Sequence, residues 1–368
     1  MYPFNDPSYG KVIIMKRYSV SALTALLLAA LMLFTACAPA KQAEAAPTPA
    51  PTAEPEPVEL TVAVTPEPTP EPTPEPTPEP TPEPTPEPTP LPDAFIGGEL
   101  IDPATELLSY DGVTVSYDEL LAALPNLPNL KEAELTGQYF TEEQMDTLLA
   151  SFPDVHFIFT VKFHVYDIRT DCKAFSTGST KSTPGVTVTG KRDYHKITDK
   201  EMQMLRYCTE LEALDVGHSG SVTDLTPIAG LKKLRYLIVA DTHVKDLSPV
   251  AQLENLFFFE CNGSSVEDIS PIAGLKNLRH VNASRTKFKD WSPLLQMTWL
   301  ERLWLNTNHF DDEAKAREEL TAALPNTTVS CYSKKSANTG WRGTAKEPDP
   351  TYIEMMTFFS MKPYFLEK

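Results

Sequence analysis

Two short runs of the chain match fragments of enzyme motifs, and neither carries the rest of its motif. Ser284 and Lys287 have the S-x-x-K spacing of the penicillin-recognising enzymes, in which the serine is the nucleophile. No companion K-T-G motif is present, and the pair lies where the chain leaves a predicted strand rather than on a helix. Residues 178–182 (G-S-T-K-S) contain part of a phosphate-binding loop but lack the glycine before the lysine. Neither run predicts a catalytic site.

The histidine and acidic residues form no metal or acid/base set that their spacing supports. His243 and His309 occupy the same column of the repeat described below, but they are three repeats apart. At about 4.8 Å per strand this separation is about 15 Å, which is too long for one metal ion. Asp215, Glu260 and Asp241 combine into a general acid/base pair only by assumption. We therefore expect no catalytic residue, no metal and no cofactor.

The chain repeats itself about every 22 residues between Leu211 and Leu305. The units begin LEALDV, LRYLIV, LFFFEC, LRHVNA and LERLWL, and their first residues are Leu211, Leu234, Leu256, Leu278 and Leu300. The first, fourth and sixth residues are apolar and are predicted to point inward from a short strand, because strand side chains alternate between faces. One unit cannot bury its apolar edge alone, so the units are expected to stack into a solenoid.

The second half of each full unit carries an aspartate three residues before a proline. These aspartates are Asp224, Asp246, Asp268 and Asp290. Each is predicted to cap a short helical turn that the proline opens. A second column reads Thr242, Ser264, Thr286 and Asn308. In three units a hydroxyl group is therefore expected to provide the backbone capping.

These columns resemble the leucine-rich repeat of the internalin type, L-x-x-L-x-L-x-x-N-x-(I/V)-x-D-(I/L)-x-P-(L/I)-x-x-L. The resemblance implies an α/β fold, namely a leucine-rich repeat solenoid with a parallel concave β-sheet and helical caps. Further stretches resemble landmarks of Gram-positive surface proteins with such repeats: residues 166–171, 174–176, 302–305 and 339–342. Because no activity is established for that family as a class, the resemblance implies fold and location and says little about a ligand.

Longer units with full helices flank the repeats. In three places a proline ends a helical stretch and an apolar run follows it, at residues 131–135, 156–161 and 328–332. Residues 167–196 interrupt this pattern and are expected to form a protruding hairpin or loop. The predicted division of the folded part is an N-terminal cap and irregular repeats with that loop insertion (93–210), the 22-residue repeats (211–310) and a C-terminal cap (311–368).

The outward residues of the predicted strands form the candidate ligand-binding site, on the concave face. They are Tyr236, Ile238, Phe258, Glu260, His280, Asn282, Arg302 and Trp304. They alternate with the inward columns, so we expect them to be exposed, and aromatic residues with arginine are the usual anchors of recognition surfaces. Replacing Phe258 and Trp304 by serine is then expected to leave the fold intact. The alternative is that these side chains pair along the sheet and only stabilise it.

The start of the chain has the features of an export signal. Met15-Lys16-Arg17 precedes the apolar run 21–36, which is short for a membrane span. Phe34-Thr35-Ala36-Cys37 resembles the cleavage site of a bacterial lipoprotein signal peptide. The resemblance implies removal of residues 1–36 and attachment of lipid to Cys37, with an ordinary secretory signal as the alternative. Met15 is the predicted true start.

A proline-rich stalk is predicted over residues 37–92. Twenty of the chain's 35 prolines fall there, and from Pro66 the segment is an E-P-T-P repeat. Such a tract has no apolar residues for a core and favours the extended polyproline II conformation over a fold. At about 3.1 Å per residue, it would carry an attached domain into or beyond a thick cell wall.

Charge and cysteine use narrow the possible partners. The chain carries 50 Asp and Glu residues against 32 Lys and Arg residues, a net charge of −18, which argues against nucleic acid and flat contact with anionic lipid. The remaining cysteines lack the spacing of a zinc site, and their disulfide state stays open: Cys172, Cys208, Cys261 and Cys331. Cys261 lies in the sixth, inward column and is expected to be a small buried apolar residue.

Three hypotheses about the function are compatible with these sequence features. The leading hypothesis is a non-enzymatic, lipid-anchored module that binds a protein at the cell surface, with a glycan as a less favoured ligand. The second is a structural component of the envelope that associates with wall polymer. The third, remote alternative is a hydrolase with its site in residues 167–196. The partner and the oligomeric state are not encoded in any motif of the sequence.

Overall fold

The computed structural model describes residues 91–178, 183–344 and 346–361. The predicted signal peptide, the lipid attachment site at Cys37 and all but the last two residues of the stalk (37–92) lie outside the described residues, as does most of the run 178–182. Within the described residues, no helix is long and apolar enough to cross a membrane.

The N-terminal part contains a hairpin and a five-stranded sheet. The hairpin pairs β1 (Ala94–Ile96) with β2 (Glu99–Ile101). The sheet has the order β3-β4-β5-β6-β8, formed by β3 (Leu107–Ser109), β4 (Glu132–Leu135), β5 (His156–Phe163), β6 (Tyr166–Arg169) and β8 (Val186–Val188). Strands β3, β4 and β5 are parallel, whereas β6 and β8 are antiparallel to their neighbours. Helices α1 (Tyr117–Ala123) and α2 (Glu142–Ser151) connect the parallel strands.

A seven-stranded parallel sheet forms the body of the repeats. Its order is β7-β9-β10-β11-β12-β13-β14, with β7 (Ala174–Ser176), β9 (Ala213–Asp215), β10 (Tyr236–Ile238), β11 (Phe258–Glu260), β12 (His280–Asn282), β13 (Arg302–Trp304) and β14 (Thr328–Ser330). Every neighbouring pair is parallel, and Leu237 lies between Leu214 and Phe259 on the adjacent strands. The predicted leucine-rich repeat solenoid is thus confirmed.

The three inward columns form the core of the stack. The residues at the first, fourth and sixth positions of the five units are all at most 2% exposed. Cys261 is completely buried in the sixth column, as predicted, and burial raises its pKa to about 12. The other three cysteines of the described residues are also buried, and all four are free thiols.

The aspartates lie just before the convex turns, but they are not the predicted N-caps. The N-cap positions are Leu225, Pro249, Ile269 and Trp291, and none of them makes a side-chain cap hydrogen bond. Each of the four aspartate side chains accepts a hydrogen bond from the backbone N–H two residues later, at 2.7–2.8 Å. This contact is an Asx turn, which a short side-chain carboxylate forms with its own backbone. The turns that follow are 3-10 helices, at Thr226–Ile228, Val250–Gln252, Ser270–Gly274 and Ser292–Gln296. In the hydroxyl column, Thr242 and Thr286 each donate to the carbonyl three residues earlier, at 2.8 Å. The prediction is wrong for Ser264, whose buried hydroxyl donates to no backbone carbonyl of the described residues.

Full helices lie at both ends of the stack. Beside α2, whose first turn is closed by a capping box from Thr141, the N-terminal side has the short helix α3 (Asp199–Met202). At the other end, α4 (Glu313–Ala323) follows β13 and precedes β14 in the chain, is capped by Asp312 and buries Ala316 and Leu320. The apolar edge of the last repeat is thereby covered, which a solenoid requires at its end.

The segment 167–196 differs from the predicted protruding hairpin or loop. Its Val186–Val188 run is a strand, β8, which pairs with β6. The intervening β7, however, pairs with β9 and begins the repeat sheet. The charged residue Arg169 is paired with Glu134 at 2.7 Å and with Asp171 at 2.8 Å. The described residues of the segment are therefore shared between the two sheets.

Candidate functional site

The predicted exposure of the concave face is wrong. Of the eight candidate residues, the following are at most 7% exposed: Tyr236, Ile238, Phe258, Glu260, His280, Asn282 and Trp304. The side chain of Arg302 is 13% exposed. They do point outward from the sheet, opposite to the inward columns, but residues from the end of the chain cover them. Whether they bind a partner remains a prediction.

The covering segment consists of residues 336–344 and 346–361, which we call the C-terminal strap. Its residues Trp341, Tyr352, Met355, Met356 and Phe359 form an apolar cluster with the concave face. The predicted C-terminal cap (311–368) is thus two structures. Helix α4 and β14 close the stack, whereas the strap returns over the sheet that its own repeats form.

Local signals explain how the strap folds. Asp349 accepts a hydrogen bond from the backbone N–H of Tyr352 at 2.8 Å and so caps helix α5 (Pro350–Phe358), which begins with proline. Before it, the backbone turns at Gly343, where φ is +74° and an added Cβ would lie 2.5 Å from the carbonyl oxygen of Glu347. Only glycine fits there.

Sequence reasoning missed the apolar face of α5, although a signal was present. Tyr352, Met355, Met356 and Phe359 recur at the spacing of one helix face, directly after an aspartate–proline cap. All four are at most 6% exposed. The pattern predicts a helix with one buried face, and the aromatic concave sheet is the surface that it buries.

Trp341 occupies the centre of the interface. Its ring centroid lies 5.2 Å from that of Phe258 and 5.4 Å from that of Trp304, and the residue is 1% exposed. The guanidinium of Arg302 lies 4.7 Å from the centroid of the Trp341 ring. Stacked and tilted aromatic pairs of this kind add to the stabilisation that burial alone provides.

Polar side chains of the sheet and its edge bind the strap through its backbone. They donate to four carbonyl groups: Asn306 to Ser336 at 3.2 Å, Asn282 to Ala337 at 3.4 Å, Trp304 to Thr339 at 2.9 Å and Arg302 to Gly340 at 3.1 Å. Arg302 also donates to the carbonyl of Trp341. The first residues of the strap are therefore positioned without strand pairing.

Charged groups are buried beneath the strap. Arg342 lies 3.4 Å from Glu260, whose side chain is completely buried, and Arg302 pairs with Asp349. Burial raises the pKa of Glu260, and Arg342 opposes that rise. Burial likewise raises the pKa of Asp215, which also interacts with Arg342. Arg342 thus pairs with Glu260, and its positive charge also opposes the raised pKa of Asp215.

His280 is a titratable residue of the strap interface whose pKa is lowered into the acidic range. Its Nε2 lies 3.3 Å from the hydroxyl of Thr351 and 3.6 Å from a carboxylate oxygen of Glu301. Burial lowers its pKa from 6.5 to about 4, and the positive charge of Arg302 adds to this effect. Asp349 acts in the opposite direction, and Arg279 lowers the pKa further. The neutral imidazole is therefore the form that the docked strap favours.

We expect acidification to weaken the folded state through His280. Between pH 6.5 and about 4 the unfolded chain binds more protons at this histidine than the folded chain does, so stability is lost as pH falls through this range. Glu260 acts oppositely, since its raised pKa makes the folded state bind protons first. The informative quantity is therefore how much more stability the wild type loses on acidification than the His280→Gln variant does.

Urea unfolding at pH 7 and pH 5 measures this difference. The His280→Gln variant is expected to lose less stability on acidification than the wild type. An equal loss of stability in both proteins would contradict the lowered pKa of His280.

The remaining candidate residues are not brought into a catalytic arrangement. Ser284 is completely buried, and its hydroxyl accepts a hydrogen bond from the backbone N–H of Asn306 at 3.0 Å. Asp241 pairs with His218 at 3.1 Å and with Arg285. Within the described residues, no group of three or more His, Cys, Asp or Glu residues could hold a metal ion.

Comparisons with known proteins match the chain to solved structures but not to a family model or a curated sequence. Among solved structures, the chain is similar to an internalin (inlF) from Listeria monocytogenes, with 20% identity, a TM-score of 0.36 and coverage of 71% of this chain and 75% of that chain. Internalin C2 (inlC2) from the same species gives 22% identity, a TM-score of 0.32 and coverage of 63% and 86%.

A third similar structure is TLR13 in a TLR13–ssRNA13 complex, with 16% identity, a TM-score of 0.32 and coverage of 62% of this chain and 29% of that chain. At these identities the likeness concerns the fold alone. The 22-residue period, the buried columns and the parallel stack of strands make the chain a leucine-rich repeat solenoid.

Proposed function

We propose that the chain is a non-enzymatic cell-surface module that binds a protein partner through its leucine-rich repeats. The observation that carries this proposal is how the concave sheet holds the strap. Its side chains bind an irregular polypeptide through backbone carbonyls and enclose an aromatic side chain of that polypeptide. A surface with these groups has the chemistry of polypeptide recognition, which favours a protein ligand over a glycan.

The same proposal places the module on the outer face of the cell membrane, held by lipid on Cys37. The residues that support this placement are the basic start and apolar run before Phe34-Thr35-Ala36-Cys37. The stalk (37–92) would then hold the repeats away from the membrane, within or beyond the wall. Export to this location also fits the acidic surface, which stays soluble without attraction to anionic lipid.

A binding titration tests the function. The mature chain, carrying Cys37→Ala to keep it out of membranes, is labelled and titrated onto intact cells and onto purified cell wall. Saturable binding that protease treatment of the cells abolishes supports a protein partner. Protease-resistant, salt-sensitive retention on the wall would instead favour the structural scaffold.

Replacing Cys37 by alanine is expected to block lipid attachment and to release the chain from the membrane or mislocalise it. Without the thiol no lipid can be attached, and the signal run 21–36 is too short to serve as a stable membrane span. Detergent-phase partitioning of the cell fractions measures the change. Cys331→Ala is the matched control, because this buried cysteine lies in the folded part and its loss leaves Cys37 in place. An unchanged membrane fraction in Cys37→Ala would refute lipid anchoring at this residue.

A further inference from the structure

The concave sheet holds the strap partly through groups that every polypeptide offers. Asn282, Trp304, Arg302 and Asn306 all donate to backbone carbonyl oxygens of residues 336–341. Because a carbonyl is present in each residue of any chain, these donors do not depend on the side chains of the strap. The same surface could therefore bind another extended segment.

Two contacts are selective, and they define the segment that would fit best. Trp341 lies between the rings of Phe258 and Trp304, at centroid distances of 5.2 and 5.4 Å. The next residue, Arg342, extends toward Glu260, which is completely buried. An aromatic residue followed by a basic residue is the pair that these two contacts recognise.

The strap is separable from the core of the repeats. Its apolar residues cluster with the outward side chains of the sheet, whereas the inward columns belong to a different cluster that is complete without the strap. Within the described residues, no strand of the strap is paired with the sheet. The residues that lead into it include Lys334 and Lys335, which are both exposed. Its departure would break side-chain contacts but no backbone ladder.

Some polar atoms that the docked strap buries lack hydrogen-bond partners. Nδ1 of His280 and Nε of Arg342 are buried, and neither has a hydrogen-bond partner among the described residues. Arg342 pairs with Glu260, and burial disfavours the charged form of that carboxylate. Unsatisfied buried polar atoms and a buried charge weaken an interface. The apolar contacts of the strap therefore work against a polar cost.

We propose that the C-terminal strap is an intramolecular ligand that closes the concave groove, and that a partner protein binds there when the strap leaves, through an extended segment with an aromatic residue followed by a basic residue. This inference rests on the proposed protein-binding function and adds to it the site, the chemistry of the ligand and its control. A tethered occupant acts at an effective concentration in the millimolar range, so the closed groove binds a free segment much more weakly than the open groove.

The test uses the mature chain with Cys37→Ala and a site-specific protease sequence inserted between the exposed residues Lys334 and Lys335. The chain folds intact and is then cut, and the released fragment is removed by dilution and gel filtration. A labelled synthetic peptide of residues 336–361 is titrated onto the cut and the uncut protein, and binding is followed by fluorescence anisotropy. We expect saturable binding to the cut protein and binding at least about 100-fold weaker to the uncut protein.

Matched peptides test the proposed recognition. Peptides with Trp341→Ala or Arg342→Ala are expected to bind the cut protein at least about 10-fold more weakly, whereas Lys346→Ala, outside both contacts, should bind like the parent peptide. Equal binding of all four peptides would overturn the proposal, as would unfolding of the cut protein in circular dichroism. Failure of the proposed protein-binding function would give a different result. The peptide would still rebind the cut protein, but neither the cut nor the uncut protein would bind a partner on cells.

Hydrogen exchange of the uncut chain gives an independent measurement. If the strap opens as a unit, the amides of α5 exchange faster than those of β10 and β11, and by a common opening step. Equal protection in the strap and in the repeat core would show that the strap leaves only when the whole domain unfolds, and it would overturn the proposal.

Discussion

Leu237→Ala is expected to lower the free energy of unfolding by about 2–5 kcal/mol. Leu237 is completely buried in the fourth inward column, between Leu214 and Phe259 on the neighbouring strands. Alanine would leave a cavity that these neighbours cannot fill without moving the backbone of the parallel sheet. The loss therefore combines the lost burial of the side chain with the cost of the cavity.

Urea unfolding of the wild type and the variant, followed by circular dichroism, measures this loss. Lys245→Ala is a suitable control, because this lysine of the same repeat is exposed and its replacement should change stability by less than about 0.5 kcal/mol. A loss below about 1 kcal/mol in Leu237→Ala would contradict the inward register of the column.

Replacing Phe258 and Trp304 together by serine is expected to detach the strap and leave the repeats folded. Sequence analysis predicted an intact fold because both side chains would be exposed, but the structure buries them against Trp341. Truncation of a buried aromatic residue typically costs about 3–5 kcal/mol. In this variant the loss of stability cannot exceed the free energy with which the strap docks. Once the strap has detached, neither side chain contributes to holding it.

Phe258 and Phe259 provide a matched comparison for this prediction. They are neighbours on β11 and are both completely buried, but Phe258 belongs to the strap interface and Phe259 to the inner core. The double serine variant should therefore make the strap sensitive to protease while the unfolding midpoint of the repeats stays unchanged. Phe259→Ser should lower that midpoint. Loss of the repeat fold in the Phe258 and Trp304 variant would show that the strap is part of one cooperative core.

The sequence by itself determined the repeat and everything that recurs with it. The period placed Leu237 and Cys261 in inward columns, because a strand alternates its faces and each unit must bury one edge against the next. It also placed the aspartate column just before the convex turns, where a carboxylate satisfies a free backbone N–H. These features depend on residues that are close in sequence or one period apart.

Only the tertiary structure decided what lies on the outer faces. Arg342 meets Glu260, which is 82 residues away, and β7 joins β9 across the segment that contains β8. No repeat links these partners, and alternation within a strand says which side chains leave the core but not what covers them. Aromatic residues on the concave face suit an external partner and a docked strap equally well. The strap is present in the same chain and therefore at high effective concentration, and it occupies the face.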